Sequence, residues 1–429
     1  MTATLPVLLP PAPTSARARL ERFAPALALA VFGLIDIFVL GLFSHHGDAS
    51  FAFSQPFAKV TVPNLSLPAE ETCFACGSLT LVLAGVRAFT PDRAWWRRLA
   101  LSIAVFGFVI ALLCWADAGQ TIAFNVVNLL SGTLGQSIPI MLGALTGVIC
   151  SRSGVINIAI EGQLLLGAFT AAMVTSSTGS LWLGLVCGAI AGSLVGSLLA
   201  VFAISYRVDQ VILGVVLNTL ILGLTGYLYD DLMVPYQNTL NSPATFSAVK
   251  IPLLGDIPII GPVFFDSTIF LYLTYVLLVV VQVGLFRTRW GLRTRSVGEH
   301  PVAADTVGIR VLRLRFWNVT LAGLIAGIGG AYFTIGSVGS FGKGMSSGEG
   351  YIALAAMIFG RYSPFGAIAA ALLFGFATQL QSILSSFPGV PIQSNLLLMT
   401  PYVVTIIVVA GLVGRVRGPR AEGIPYGAP

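Results

Sequence analysis

The feature that most constrains this chain is a series of apolar stretches, each about long enough to cross a lipid bilayer, that recurs along its length. Of the 429 residues, 56% are hydrophobic and only 9% are charged. Soluble domains carry about 25% charged residues, so this little charge cannot cover a water-facing surface of this size. A helix needs about 20 apolar residues to span the hydrocarbon core. The chain is therefore predicted to be an all-α, polytopic membrane protein.

About twelve spans are expected, and some are short enough to be broken or re-entrant. The apolar run from Phe23 to Phe43 is too long for the core of a signal peptide, so it is interpreted as a retained first helix. The longest connections are 44–72, 230–268 and 287–315. The expected spans lie near 23–43, 73–90, 99–117, 136–150, 155–175, 180–205, 210–229, 269–286, 316–338, 350–360, 365–385 and 396–414.

The basic residues decide the orientation. Cytoplasmic loops of membrane proteins carry an excess of Lys and Arg. With both termini in the cytoplasm, all of the 23 Lys and Arg residues fall inside except Lys59, Lys250 and Lys343. The net charge of +6 then reflects topology and not nucleic-acid binding. We expect a multi-pass protein of the bacterial cytoplasmic (inner) membrane, in which 287–315 is the largest internal loop.

Within that internal loop, residues 291–309 have the pattern of a short helix. Pro301 suits the first turn, and Gly308 suits the end. Ala303 and Ala304 lie between them and form a small-residue face that would let a partner protein approach closely. Docking of another protein is one interpretation. The other is an ordinary amphipathic helix that rests on lipid headgroups.

Polar residues interrupt the apolar run 154–169. An ionisable residue at membrane depth is costly and usually faces a cavity or a partner. If the helix is intact, Asn157 and Glu161 share one face and form a polar stripe. They would then line a translocation path together with Gln163. Alternatively, Glu161 has a structural role and accepts hydrogen bonds from the free backbone N–H groups of a neighbouring broken helix.

Two further segments combine polar and apolar character in the same way. Asn218 interrupts the span 210–229 and could either line the path or tie two helices together. The segment 342–360 joins a Gly- and Ser-rich stretch, with Ser346, Ser347 and Glu349, to a short apolar run. Discontinuous elements of this kind often line transporter sites.

Other features of the sequence concern helix packing and the lack of metal-binding and nucleotide-binding motifs. Four glycines at every fourth position leave one helix face bare for close packing: Gly184, Gly188, Gly192 and Gly196. The five cysteines lie in or beside apolar runs, and the three histidines are scattered, so no metal site is predicted. The sequence has no phosphate-binding G-x-x-x-x-G-K-[ST] motif, so any ATP that drives this protein is bound by another chain.

Four segments resemble motifs of the permease family that includes ribose, branched-chain amino acid and nucleoside ABC importers. The similarity covers about 119–415 and is closest to the nucleoside or simple-sugar importer branch. The motifs are N-I-x-x-E-G-Q from Asn157 to Gln163, D/N-Q-V-x-x-G-x-x-L-N from Asp209 to Asn218, R-S-V-G-E-H-P-x-A-A-D-x-x-G-I from Arg295 to Ile309, and G-x-I-A-L-A-A-x-I-F-G-R from Gly350 to Arg361.

This resemblance implies a permease subunit that translocates nucleosides, purine or related, or simple sugars by alternating access. Its partners would be ABC ATPase subunits, a second permease that is identical or paralogous, an extracytoplasmic binding protein or lipoprotein, and membrane lipid, but no nucleic acid. ATP and Mg would be bound by the ATPase, so this chain would hold no cofactor and would not be an enzyme. The ATPase-coupling residues would be Arg295, Gly298, Glu299, Pro301, Ala303, Ala304 and Gly308.

The resemblance also divides the chain. Residues 1–118 would be an N-terminal extension with about three accessory transmembrane helices, 119–415 the permease core, and 416–429 a cytoplasmic tail. Relatives tend to have Arg where this chain has Glu349, which alters the charge near the external mouth. The substrate path would include Asn157, Glu161, Gln163, Asn218, Ser346, Ser347 and Glu349.

One alternative belongs to a different class of transporter. An ion-coupled secondary transporter of a small polar solute is expected to carry several acids at membrane depth, arranged as a relay. Only Asp36 and Glu161 qualify here, and they are far apart in sequence. The sequence therefore favours the ATP-driven permease.

Overall fold

The structure is a computed structural model, and it describes residues 15–42, 47–55, 61–89, 94–120, 123–386, 399 and 417–427. These ranges are mostly helical, with five short strands. The helices are α1 (Ser15–Ile35), α2 (Ala69–Phe89), α3 (Ala94–Asp117), α4 (Val126–Arg152), α5 (Ile160–Thr178), α6 (Leu181–Ala200), α7 (Gln210–Leu228), α8 (Gln237–Leu240), α9 (Ile260–Phe264), α10 (Ile269–Arg287), α11 (Arg289–Glu299), α12 (Pro301–Thr306), α13 (Val311–Ala331), α14 (Glu349–Phe359) and α15 (Pro364–Ser386). The strands are β1 (Asp48–Ala52), β2 (Leu65–Pro68), β3 (Phe124–Asn125), β4 (Val249–Lys250) and β5 (Asp266–Ser267).

Eight helices in the described part of the chain are long and apolar enough to cross a membrane, namely α2, α3, α4, α6, α7, α10, α13 and α15. This confirms the prediction of a polytopic helical membrane protein. The count of about twelve and the orientation stay predictions. The expected spans 23–43 and 350–360 correspond to shorter apolar helices, at Ala26–Gly41 and Glu349–Phe359. The expected span 396–414 lies outside the described residues, apart from residue 399.

The chain forms two compact units, and the first contains α1 to α3 and β1 to β3. Its strands form a sheet in the order β2-β1-β3, in which β1 pairs antiparallel with β2 and parallel with β3. Asp36, directly after α1, is fully buried in this unit, and within the described residues neither of its carboxylate oxygens has a hydrogen-bond partner. Asp36 therefore does not face lipid.

The second unit contains α4 to α15 and the C-terminal segment 417–427. Its core is formed mainly by α4, α5, α6 and α13, and α4 is buried over most of its length. The connection between α7 and α10 carries α8, α9 and the two-stranded antiparallel sheet of β4 and β5. That connection is the predicted external segment 230–268.

The α6 glycines lie where α6 comes closest to its neighbours. A methyl group at Gly192 would lie 2.5 Å from the carbonyl oxygen of Gly323 and 2.6 Å from the Cα of Gly327, both on α13. A methyl group at Gly188 would lie 2.9 Å from the carbonyl oxygen of Gly167 on α5. Backbone therefore packs directly on backbone among α5, α6 and α13.

Helix α5 begins later than the sequence predicted. The chain leaves α4 through Gly154, which has a φ of +84°, and stays non-helical until Ile160. The left-handed backbone at Gly154 ends the preceding helix and redirects the chain. The condition for a shared face of Asn157 and Glu161, an intact helix over 155–175, is therefore not met, because Asn157 lies before the start of α5.

Candidate functional site

Two helices of the second unit begin at the same place. A methyl group at Gly350, in the first turn of α14, would lie 2.5 Å from the backbone nitrogen of Glu161, in the first turn of α5. The first backbone N–H groups of a helix have no partner within the helix, and they carry partial positive charge. The meeting point of α5 and α14 is thus a place where acceptors, or negative charge, are needed.

Glu161 supplies acceptors for α14. One carboxylate oxygen accepts hydrogen bonds from the Ser346 hydroxyl at 2.6 Å and from the Gly348 backbone N–H at 2.8 Å. The other oxygen accepts from the Gly350 backbone N–H at 2.7 Å. A carboxylate at a helix N-terminus also interacts favourably with the helix dipole. These are the contacts expected from the structural interpretation of Glu161, and its place on a substrate path stays a prediction.

Asn218 supplies the corresponding group for α5. Its side-chain oxygen accepts from the Gly162 backbone N–H at 2.8 Å. Its amide nitrogen donates to the Ile158 carbonyl at 2.9 Å and to the Tyr351 hydroxyl at 3.0 Å. Asn218 therefore ties α7 to the starts of both α5 and α14.

Glu349 adds a second carboxyl group at this meeting point. It is the first residue of α14 and lies close enough to Glu161 for the two charges to repel. One of its carboxylate oxygens is buried and has no hydrogen-bond partner in the part of the chain that the structure describes. Lys343, in the segment that precedes α14, forms an ion pair with Asp230 at 2.6 Å. The meeting point thus holds two carboxyl groups, of which Glu161 accepts three hydrogen bonds and Glu349 keeps one buried oxygen.

The other predicted path residues divide into buried and exposed ones. Asn157 donates to the Gln163 side-chain oxygen at 3.1 Å, and both side chains are almost fully buried. Ser346 is buried on Glu161, whereas Ser347 is exposed and has a φ of +46°. Tyr351 was not among the predicted path residues, although it follows Gly350 in the motif and contacts Asn218.

The loop 291–309 lies at a separate place in the same unit. Helix α12 begins at Pro301, as the sequence predicted, and Gly308 follows it with a φ of +83°. Ala303 is exposed, and the side chains beside it, Val302 and Val307, are 64% and 76% exposed. Ala304, however, is only 3% exposed. The expectation that both alanines face a partner is therefore wrong for Ala304, which packs inward.

Helix α11 is fixed to α13 by buried polar contacts. The Trp290 indole donates to the Asn318 side-chain oxygen at 2.9 Å, and the Asn318 amide donates to Thr294 at 3.1 Å. The Arg295 guanidinium lies over the Phe286 ring at 5.0 Å. Gly298 is buried against the Arg152 backbone, while Glu299 is exposed. The predicted coupling residues thus lie in one continuous segment. Some of them, such as Gly298 and Ala304, pack inward, and others, such as Glu299 and Ala303, are exposed.

The chain resembles known transport proteins. A family model described as "Branched-chain amino acid transport system / permease component" matches residues 129–415. The guanosine ABC transporter permease protein NupQ of Bacillus subtilis is 40% identical over 316 residues, which are 70% of this chain and 98% of that protein.

Two further relatives extend this comparison. The nucleoside ABC transporter permease protein NupC of Lactococcus lactis is 39% identical over 315 residues, 70% of this chain and 98% of the relative. The putative glucose ABC transporter permease protein TsgC13 of Haloferax volcanii is 33% identical over 258 residues, 59% of this chain and 77% of the relative. No solved structure matches this chain.

Proposed function

Because the chain belongs to the family of branched-chain amino acid transport system permease components, we propose that it is the permease subunit of an ATP-driven importer for nucleosides. The substrate would pass beside the meeting point of α5 and α14, by alternating access, in a bacterial cytoplasmic membrane. The resemblance stated from the motifs is confirmed at the level of the family and of the nucleoside or simple-sugar branch.

One observation supports the proposal: backbone N–H groups at the starts of α5 and α14 already have hydrogen-bond acceptors. Free helix N-termini commonly bind anions. Here the N–H groups of Gly162, Gly348 and Gly350 already bond to Asn218 and Glu161. With these N–H groups occupied, the two helix starts offer little to an anionic solute, which favours an uncharged one such as a nucleoside.

The relatives support the same class of solute. Two of them are named for guanosine or nucleosides, and both align over nearly their whole length. The relative named for glucose favours simple sugars as a second candidate. Sugars and nucleosides are both uncharged and carry hydroxyl groups, so the occupied helix starts alone do not separate them.

A second permease subunit would complete the path. Tyr351 is 46% exposed although it accepts a hydrogen bond from Asn218, and Ser347 is also exposed. The polar cluster therefore reaches the surface of this chain. A path that opens there needs a partner to close it, and in this proposal the partner is an identical or paralogous permease.

The remaining partners follow from the family. ABC ATPase subunits would dock on the exposed face of α12, at Val302, Ala303 and Val307, and the loop 291–309 would transmit their closure to the spans. A binding protein on the external side would deliver the solute. No chemical step is required of this chain, and in this proposal ATP is hydrolysed by its partner.

The test is uptake by proteoliposomes that contain the complete complex. We expect ATP-dependent uptake of guanosine, adenosine or uridine, little uptake of guanosine monophosphate, and no effect of a protonophore. Glucose and ribose in the same panel separate the two candidate solutes. Uptake that needs a proton gradient but no ATP would reject the proposal in favour of an ion-coupled secondary transporter.

A further inference from the structure

The C-terminal segment 417–427 is packed into the second unit. The Ala421 backbone N–H donates to the Gly298 carbonyl at 2.9 Å, next to α12. The Gly423 backbone N–H donates to the Gly154 carbonyl at 3.2 Å, in the turn after α4. One short piece of chain thus bonds both to the predicted coupling loop and to the turn that follows the core helix α4.

A buried arginine holds this segment. Arg315, near the start of α13, is 2% exposed. Its guanidinium donates to the Ile424 carbonyl at 2.9 Å and to the Ala421 carbonyl at 3.4 Å. A buried cation is costly unless acceptors surround it. The carbonyl groups of the C-terminal segment are such acceptors, so burial of Arg315 depends on the segment being in place.

A tyrosine connects the same segment to α12. Tyr426 is 7% exposed, and its ring packs in a cluster with Val297, Ala304 and Val311. Its hydroxyl donates to the Asp305 carboxylate at 3.0 Å. This contact explains why Ala304 faces inward: its side chain is covered by a residue more than a hundred positions later in the chain.

A third contact reaches the link between α14 and α15. Glu422 interacts with Ser151, Tyr362 and Arg152. Burial raises the pKa of the Glu422 carboxyl, against the opposing effect of hydrogen bonds from Ser151 and Tyr362. Arg152 in turn donates to the Tyr362 carbonyl at 2.8 Å. The segment therefore contacts four places that are distant in sequence.

We propose that Arg315 and Tyr426 are positioning residues, which act through the C-terminal segment to hold α12 at a fixed angle to α4 and α13. A displacement of α12 by an ATPase then moves the core helices as well, instead of bending the loop alone. This inference rests on the proposed role of the loop 291–309 in coupling.

The test combines two measurements on the full-length protein. Tyr426→Phe keeps the ring and removes the hydroxyl that bonds Asp305. One hydrogen bond contributes about 1 kcal/mol, so backbone amides of 298–309 should exchange with deuterium about fivefold faster. In the reconstituted complex, fewer nucleosides should be transported per ATP hydrolysed, with an unchanged KM. The control is Tyr236→Phe, which changes a tyrosine that is 61% exposed in the α7–α10 connection.

Arg315→Lys is a second variant, which keeps the charge but loses the forked donor geometry. It should show the same two changes as Tyr426→Phe. Unchanged exchange in both variants overturns the inference, as does faster exchange with unchanged transport per ATP. If the wild-type complex shows no ATP-driven uptake, the proposed function fails instead, and amide exchange alone then decides whether the segment holds α12.

Discussion

Glu161 satisfies three donors with one side chain, two of them at the start of a different helix. Its removal would leave the Ser346 hydroxyl and the N–H groups of Gly348 and Gly350 without acceptors. Each unpaired buried donor costs about 1–3 kcal/mol. At the scale of a single residue, this makes Glu161 a determinant of stability as well as a candidate for the path.

We predict that Glu161→Ala lowers the free energy of unfolding by at least about 3 kcal/mol, since three donors lose their partner. Glu161→Gln keeps one acceptor oxygen and should cost less. Thermal unfolding of the purified protein in detergent measures both. Ser347→Ala, at an exposed neighbour that does not contact Glu161, is the control. A Glu161→Ala protein as stable as wild type would show that the helix start tolerates free donors.

Individual residues also show where sequence reasoning fails. The motif from Asn157 to Gln163 correctly placed polar side chains inside the unit, but the turn before α5 moved Asn157 off the helix. Apolar residues such as Val155 and Ile156 fit a helix and a buried turn equally well, so the pattern could not separate them. The Ser153-Gly154 dipeptide, which is typical of turns, was the available signal in the sequence.

Among the helices, α6 packs closely on its neighbours through its row of glycines. The sequence predicted this face from the spacing of its glycines alone, because a bare helix face has few uses besides close packing. The structure adds the neighbours, α5 and α13, which spacing cannot specify.

We predict that Gly192→Ala destabilises the second unit by about 1–3 kcal/mol, because the added methyl group meets backbone that cannot rotate away. Gly223→Ala, on α7, is the matched control. No atom of the described ranges lies within 4 Å of the methyl group there, and alanine favours a helix over glycine by about 1 kcal/mol, so stability should stay or rise. Equal melting temperatures for the two variants would contradict the close contact.

Helix α12 offers a second matched pair. Ala303→Arg changes the exposed side and should abolish ATPase binding, measured by co-purification, without altering thermal stability. Ala304→Arg puts a charge into the cluster around Tyr426 and should lower both binding and stability. If Ala303→Arg binds the ATPase as wild type does, α12 is not the docking element.

For the whole molecule, charge asymmetry predicts which side faces the cytoplasm. In right-side-out vesicles, a membrane-impermeant maleimide should label Leu253→Cys, at a position that is 85% exposed in the α7–α10 connection. Val307→Cys, at a position that is 76% exposed beside α12, should react only after the membrane is opened. The unmodified chain controls for its own cysteines. The reverse labelling pattern would invert the topology.

The membrane class, the family and most helices could be predicted from the sequence, because each depends on local composition or on contiguous motifs. The role of the C-terminal segment could not. Residues 416–429 have the composition of a solvated tail, and no local pattern predicted the burial of Tyr426 or Arg315. Contacts between residues more than a hundred positions apart leave no local periodicity.

The glycine contacts among α5, α6 and α13 limit where the molecule can deform. Interfaces that slide during a working cycle need side chains that can exchange rotamers, and backbone packed on backbone has none. These three helices should therefore move as one rigid body. Any bending that opens and closes a passage must then occur in the helices that pack around this body. We expect the hinge where α7 meets α14, at Asn218 and Tyr351.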